Sequence, residues 1–412
     1  MKPSRAYLDW AAGAPLHPAA REAIERVLSL GVGNPSSIHA EGRAARAVLE
    51  EARSRVAALA GCQPAEVVFT SSGSEANALA ILGSGAERLF VGSLEHASAR
   101  LAAQVARERG AIVEDLPGGT DGRYDLDAAA RILGAVAERG SGLKADSTAP
   151  PAPRTAPADT HQRPGADAGA RPGLRLVVAQ LTNNETGALQ PVEELASIAR
   201  DLGAELHVDA VQAAGKVELA PVWERCRSMA LSAHKLGGIA GAGALCLRRG
   251  TALTPRIPGH QERGLRGGTH SLAAIAAFGA VADLAARERE ARAARLAELA
   301  SRLESILRAA DGRVRIQAAG APRVPGIVSA TFPGADGETL LVALDLAGVA
   351  TAHGAACSTG AMEPSHVLLA MGVPAELARA TLRFSVGPDT REEELDLLER
   401  ALPDALRAAH LG

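Results

Sequence analysis

Three observations predict an α/β fold with a mainly parallel sheet and a smaller α+β domain at the C-terminal end. Short apolar runs of strand length recur through the first two-thirds of the chain. Helical patterns lie between several of them, the alternation that builds a parallel sheet. From about residue 275 the alternation stops and a different order of elements begins. The 412 residues are enough for more than one domain and a sizeable core.

The expected strands are EVVFT (66–70), RLFVG (88–92), LRLVVAQL (174–181), AELHVDA (204–210), SMALSA (228–233) and GALCLRR (243–249). Between them EANALAILG (75–83), ASARLAAQVARERG (97–110) and VEELASIARDLG (192–203) read as helices. Beyond 275 the sequence predicts a long amphipathic helix over roughly 283–309, then LLVALDLAG, a small-residue loop, a strand near TLRFSV (381–386) and a final helix. The division expected is a segment 1–15 packing with the small domain, a large domain over 16–282 and a small domain over 283–412. One segment, 141–173, breaks the pattern. It holds six prolines, no aromatic residue and no β-branched aliphatic one, so it is expected to be a disordered surface insertion. A tolerated insertion is favoured over a tether for a partner.

Composition narrows the function classes. Hydrophobic residues are 47% and aromatics only 2%, so the core must be aliphatic. The net charge of −3, with signs mixed, gives no nucleic-acid surface. The start MKPSRAYLDW has no apolar run for a signal peptide. The most apolar stretch, SLAAIAAFGAVADLAA (271–286), is too short to span a bilayer and carries Asp283. The four cysteines, at 62, 226, 246 and 357, form no CxxC pair, which argues against a disulfide framework or a zinc site. The expectation is a soluble cytoplasmic protein with no metal and no membrane partner.

Ligands in open α/β sheets bind beyond the carboxyl ends of the strands. Here those ends are polar. EVVFT runs into SSGSEAN, where Gly73 and Ser74 open a helix whose free N–H groups suit a phosphate. RLFVG leads to His96, LRLVVAQL to Asn184, and AELHVD ends in Asp209 with Gln212 beyond. SMALSA ends in Ser232, followed by His234 and Lys235. Each has a plain structural alternative: a helix cap for the Ser-Gly-Ser turn and for Asp209, a packed ring for His96, a solvated amine for Lys235. Their convergence on one sheet edge favours a ligand. A phosphate cradle, a carboxylate and a lysine among small residues fit pyridoxal phosphate, whose aldehyde condenses with a lysine and whose protonated ring nitrogen needs an anion. Lys235 is the candidate Schiff-base lysine, Asp209 the ring-nitrogen partner and His96 the residue stacked on the ring.

A last feature is HGAACSTGAMEPS (353–365), where Cys357 sits among Ala, Gly, Ser and Thr. A thiol with little to pack against suits chemistry better than a core.

In order along the chain, YLDWAAGAP, GNPSSIH, FTSSGSEAN, LEH, NNETGALQP, HVDAVQAAGK, SAHK, QERGLRGGT, HGAACSTGAMEPSHVL and RFSVG resemble the cysteine desulfurases of the class-V aminotransferase group. The resemblance covers nearly the whole chain except 141–173. It implies the fold-type-I architecture of pyridoxal phosphate enzymes, with a mainly parallel seven-stranded sheet in the large domain, and a homodimer with its active site at the subunit interface. It places Gly73, Ser74, Ser232 and His234 at the cofactor phosphate, and Thr269 at the phosphate of the partner subunit's cofactor. Gln212 falls at the phenolic oxygen, and Asn184 near cofactor and substrate. Arg383 is placed at the substrate carboxylate, a task for its bidentate fork; its sequence position alone allows a surface charge.

The implied reaction takes sulfur from L-cysteine. The substrate replaces Lys235 on the cofactor, the released Lys235 removes the α-proton, and the Cys357 thiolate attacks the substrate sulfur. A persulfide on Cys357 and alanine result, with His96 moving protons. Gly354, Ala355, Ala356 and Gly360 suit a segment that must move between site and acceptor. The spacing from Cys357 to Glu363-Pro364 resembles the long-loop branch, which serves iron–sulfur cluster assembly and tRNA thiolation. A scaffold partner and an iron–sulfur contact of Cys357 during transfer follow as further implications. GIAG (238–241), AAGAP and Gly268 depart from the usual motifs, and HLG is a short ending for a scaffold-docking member. The rival reading is selenocysteine lyase, which shares fold, cofactor and a similar cysteine.

Overall fold

The computed structural model describes residues 5–31, 33–141, 171–354 and 363–411. Most of the segment expected to be a disordered insertion, 142–170, and the segment with Cys357 lie outside the described residues.

In chain order, strand β1 (Ala6–Tyr7) is followed by helices α1 (Pro18–Ser29) and α2 (Ala40–Ala60). Then strands and helices alternate: β2 (Val67–Thr70), α3 (Gly73–Ser84), β3 (Ala86–Gly92), α4 (Ala97–Glu108), β4 (Ile112–Leu116), α5 (Leu126–Ser141), β5 (Arg171–Gln180), α6 (Val192–Asp201), β6 (Glu205–Asp209), α7 (Ala220–Arg225), β7 (Ser228–Ser232) and β8 (Gly243–Leu247). Strands β2 to β8 form one sheet in the order β2-β8-β7-β6-β5-β3-β4. Six run the same way and β8 runs against them. The carboxyl ends of the six therefore open on one edge, as the alternating pattern requires.

The second half starts with α8 (Leu272–Ala310), 39 residues long. The sequence pattern suggested a start near 283. The helix begins earlier because Ala274 to Ala285 are buried in the large core, and a helix buried on every side loses its amphipathic signal. Its far end, from Leu296 to Leu307, packs in a separate core with Val328, Phe332, Leu382 and Phe384. That core is closed by β9 (Arg315–Ile316), β10 (Ile327–Thr331), α9 (Gly337–Leu346), β11 (Val349–Ala350), β13 (Thr381–Ser385) and α12 (Glu392–Leu411), with β12 (Ala352–His353) beside β13, whereas α10 (His366–Ala370) and α11 (Ala375–Arg379) bury Val367, Leu368 and Ala378 in the large core. The small antiparallel sheet has the order β12-β13-β10-β9. The N-terminal strand β1 pairs with β11, so the first residues belong to this second unit.

Candidate active site

The strand ends gather the expected residues. Asp209 closes β6, Ser232 closes β7, and His234 and Lys235 follow in a short 3-10 turn. His96 caps the N-terminus of α4, where its Nδ1 accepts from the Ser98 N–H at 3.1 Å. Gly73 and Ser74 are the first two residues of α3, behind the cap Ser72. Their N–H groups have no acceptor within the helix and face outward from its positive end. A Cβ on Gly73 would come within 2.6 Å of Val211 Cγ2, so glycine is required for the turn to sit this close to the 209–212 segment.

Asp209 is braced from behind. Its Oδ2 accepts from Asn77 Nδ2 at 2.7 Å and its Oδ1 from the Val211 N–H at 3.0 Å. Asn77 also donates to Ser98 Oγ at 3.0 Å, tying the carboxylate to the turn that holds His96. Asn77 Oδ1 must then accept from His207 Nε2 at 3.0 Å, while His207 Nδ1 faces Ser228 Oγ at 2.9 Å. Complete burial pushes the His207 pKa down to about 4. The support behind Asp209 is therefore a chain of neutral donors.

Lys235 Nζ donates to the carbonyls of Ala11 and Ala12 at 2.6 and 2.8 Å. Desolvation and the nearby Arg383 lower its pKa to about 8 against the pull of Asp9 and Asp209. Roughly a tenth of this amine is thus free base at pH 7, far more than for an ordinary lysine, as a nucleophile or base needs. Gln212 Nε2 donates to the same Ala11 carbonyl at 2.8 Å. Ser232 Oγ meets His234 Nδ1 at 2.8 Å, and burial with Lys235 nearby takes His234 to about 4. His96 is open to solvent on one side but hemmed in by protein. Desolvation, then Lys235, His366 and Arg383, lower its pKa, with Asp209 opposing.

Arg383 is the third residue of β13 and lies buried, which corrects the alternative of a surface charge. Its terminal nitrogens are held by Asp9 Oδ1 and the Asn184 carbonyl, each at 2.9 Å. Among the described residues its buried Nε has no acceptor. Thr269 does not join this cluster: it is exposed, on a segment tied to the phosphate turn by Arg266 and Glu75 at 3.0 Å.

Several residues in the site carried no assignment in the sequence. Asp9, Asn77 and His207 lie inside the quoted motifs, but their contacts span 374, 132 and 130 residues and no local pattern marks them. Glu95, beside His96, is buried with Oε1 taking the Tyr124 hydroxyl and the Gln180 N–H. Desolvation, with Asp209 adding, raises its pKa to about 8. Glu185 accepts from Ser365 Oγ and sits where a Cβ on Gly354 would come within 2.5 Å of it, so it touches both flanks of the segment that carries Cys357.

The donor set fits pyridoxal phosphate. Helix-start N–H groups, Ser232 and His234 can take a phosphate, the braced Asp209 a protonated ring nitrogen, and Lys235 an aldehyde. The comparisons agree. The class-V aminotransferase family model matches residues 6–137 and 165–398. A cysteine desulfurase of Klebsiella pneumoniae is 35% identical over 98% of this chain and 94% of its own length. One from Cereibacter sphaeroides is 37% identical over 98% and 97%. Among solved structures, a NifS-like protein from Rickettsia africae superposes with a TM-score of 0.81 at 26% identity, over 98% of this chain and 99% of that one. The chain belongs to the class-V aminotransferase family and, within it, to the cysteine desulfurases.

Proposed function

We propose that the protein binds pyridoxal phosphate and takes sulfur from L-cysteine, releasing L-alanine and holding the sulfur as a persulfide on Cys357. The observation that carries the reading is the meeting of a desolvated Lys235 amine, a braced Asp209 and the α3 phosphate turn at one sheet edge. When bound, the cofactor supplies an electron sink that loosens the substrate's α-proton and its C–S bond.

The residues divide the remaining work. Gly73, Ser74, Ser232 and His234 hold the phosphate, and Asp209 keeps the ring nitrogen protonated. Gln212 and Asn184 contact the ring, and His96 stacks on it. Arg383, its plane already fixed, orients the substrate carboxylate through its remaining donor capacity. Lys235 takes the α-proton, and its lowered pKa suits that task. The Cys357 thiolate attacks the substrate sulfur: an S–S bond forms, the C–S bond breaks, and the carbon takes a proton to become alanine. We assign the working form to a cytoplasmic homodimer, with Thr269 reaching the partner subunit's cofactor phosphate. The consumer of the persulfide is an acceptor of the iron–sulfur scaffold or tRNA-thiolation class.

The test is alanine release from L-cysteine, with a reductant present, by the wild type and by Cys357→Ala. Alanine from the wild type and almost none from the variant supports the proposal. Equal rates remove Cys357 as nucleophile. No alanine from either, with alanine from L-selenocysteine, replaces the reading with a selenocysteine lyase.

A further inference from the structure

Lys216 is a cation that the reaction above does not use. It lies half-buried beside a cavity of about 60 Å3, shared with Trp10, Lys235, Arg292 and Asp389. No carboxylate pairs with it among the described residues; its hydrogen bond is to Gln212 Oε1 at 3.4 Å. Desolvation, with Lys235 and Arg383 adding, lowers its pKa to about 8. A half-buried lysine without a counter-charge is costly, so its position calls for a reason.

The local chain aims it. Gly215 is left-handed (φ 73°), and a Cβ there would meet Ala285 and Leu236 at 3.0 Å. The turn closes through the Lys216 N–H to the Ala213 carbonyl at 2.9 Å. Lys216 is thereby brought back beneath Gln212, four residues earlier. Gln212 in turn shares the Ala11 carbonyl with Lys235, at 2.8 and 2.6 Å. A side-chain amide can sit either way round, with oxygen and nitrogen exchanged. An ammonium on one side and a carbonyl on the other settle the choice: Oε1 turns to Lys216, and the NH2 group turns to the Ala11 carbonyl that Lys235 also holds.

We propose that Lys216 is a positioning residue that locks the Gln212 amide with its donor face toward the cofactor's phenolic oxygen beside Lys235. The inference rests on the cofactor assignment made above. A flipped amide would set an acceptor against that electron-rich oxygen. The charged and titratable groups around Lys216 are Lys235, Arg292, His17 and Asp389 at the cavity and Arg383 across it, and none of these changes in the variants below.

The experiment titrates the absorbance of the lysine-bound cofactor against pH in the holoenzyme. It compares wild type, Lys216→Met, Lys216→Arg, Gln212→Ala and the Lys216→Met/Gln212→Ala double variant, with thermal unfolding alongside. Lys216→Met raises the transition by about one pH unit, because both a cation and an oriented donor leave the linkage. Lys216→Arg keeps it near wild type. Gln212→Ala moves it the same way, and in that background the methionine adds less than half of its single effect. No shift in Lys216→Met, or a shift that survives by half or more without Gln212, overturns the proposal, because the lysine would then act by charge alone or only structurally. A wild type without a lysine-bound chromophore overturns the cofactor assignment and this inference with it.

Discussion

Asp209 is held by neutral partners, and that choice has consequences residue by residue. A cation behind it would compete with the ring nitrogen for its charge; the His207–Asn77 chain positions it without doing so. Replacing Asn77 by Ala leaves a buried carboxylate oxygen and the His207 N–H unpaired. Losing such a bond is worth about 1–2 kcal/mol, so cofactor affinity is expected to fall about tenfold, read by equilibrium dialysis. Unchanged affinity would mean that the Val211 N–H alone suffices. Glu95 gives a pH signature. Its carboxyl goes from 4.5 in the open chain to about 8 in the fold, so between these values the folded state holds a proton that the unfolded chain has released. The stability from this group is full below pH 4.5 and is lost as pH rises to about 8, at up to about 1.4 kcal/mol per pH unit. Glu95→Gln carries no such proton. Its melting temperature relative to wild type is expected to climb between pH 5 and 8; a constant difference would show that Glu95 is ionised throughout.

At the scale of elements, the 262–264 turn is the most constrained piece of backbone. Glu262 and Arg263 are both left-handed (φ 48° and 59°), at about 1–3 kcal/mol each. Glu262 compensates by accepting from Arg53 twice at 2.8 Å, from the Phe69 N–H at 2.8 Å and from His270 at 2.7 Å. Burial alone would raise its pKa; Arg53 and His270 overcome this and hold it at about 2. The pair's stabilisation is therefore present above pH 4.5 and lost as pH falls toward 2. Arg53→Met leaves a buried carboxylate short of its main partner and is expected to cost about 3–5 kcal/mol in denaturant unfolding. Adding Glu262→Gln should restore part of that; a double variant no better than the single would argue that the loss is packing. Such pairs are invisible in sequence, since 209 residues separate the partners. What could be read was local. β5, β6, β7 and β8 announce themselves as apolar runs because they are buried inside the sheet. β4, IVEDL, sits at the edge with polar residues exposed and gives no such run. The strand-end residues were legible because a parallel sheet delivers them to one edge, whereas Arg383 needed the second unit's packing to place it.

On the scale of the whole molecule, the two cores meet through the first residues of the chain. β1 pairs with β11, and the Ser385 N–H donates to the Leu8 carbonyl at 2.7 Å. Asp9 holds Arg383, the Ala11 N–H donates to Ser385 Oγ at 2.9 Å, and the Ala14 N–H reaches the His234 carbonyl at 2.9 Å. The Ala11 and Ala12 carbonyls then hold Lys235 and Gln212. The N-terminal segment is thus a strap from the small sheet to the reactive lysine, and its seat is Trp10. Gly387 lies beneath that ring: a Cβ there would fall 2.1 Å from Trp10 Cδ2 and Cε3, closer than any side chain tolerates. Trp10 must then move, and the two carbonyls beside it must follow. Gly387→Ala is expected to cost about 1–3 kcal/mol through overpacking and, though its own side chain touches no site residue, to lower the fraction of protein carrying lysine-bound cofactor. Thermal unfolding and the chromophore per subunit read the two effects separately. Lost stability with full cofactor occupancy would show that the strap holds the units together without setting Lys235. Loss of both would show that the geometry of the lysine depends on the docking of the small sheet.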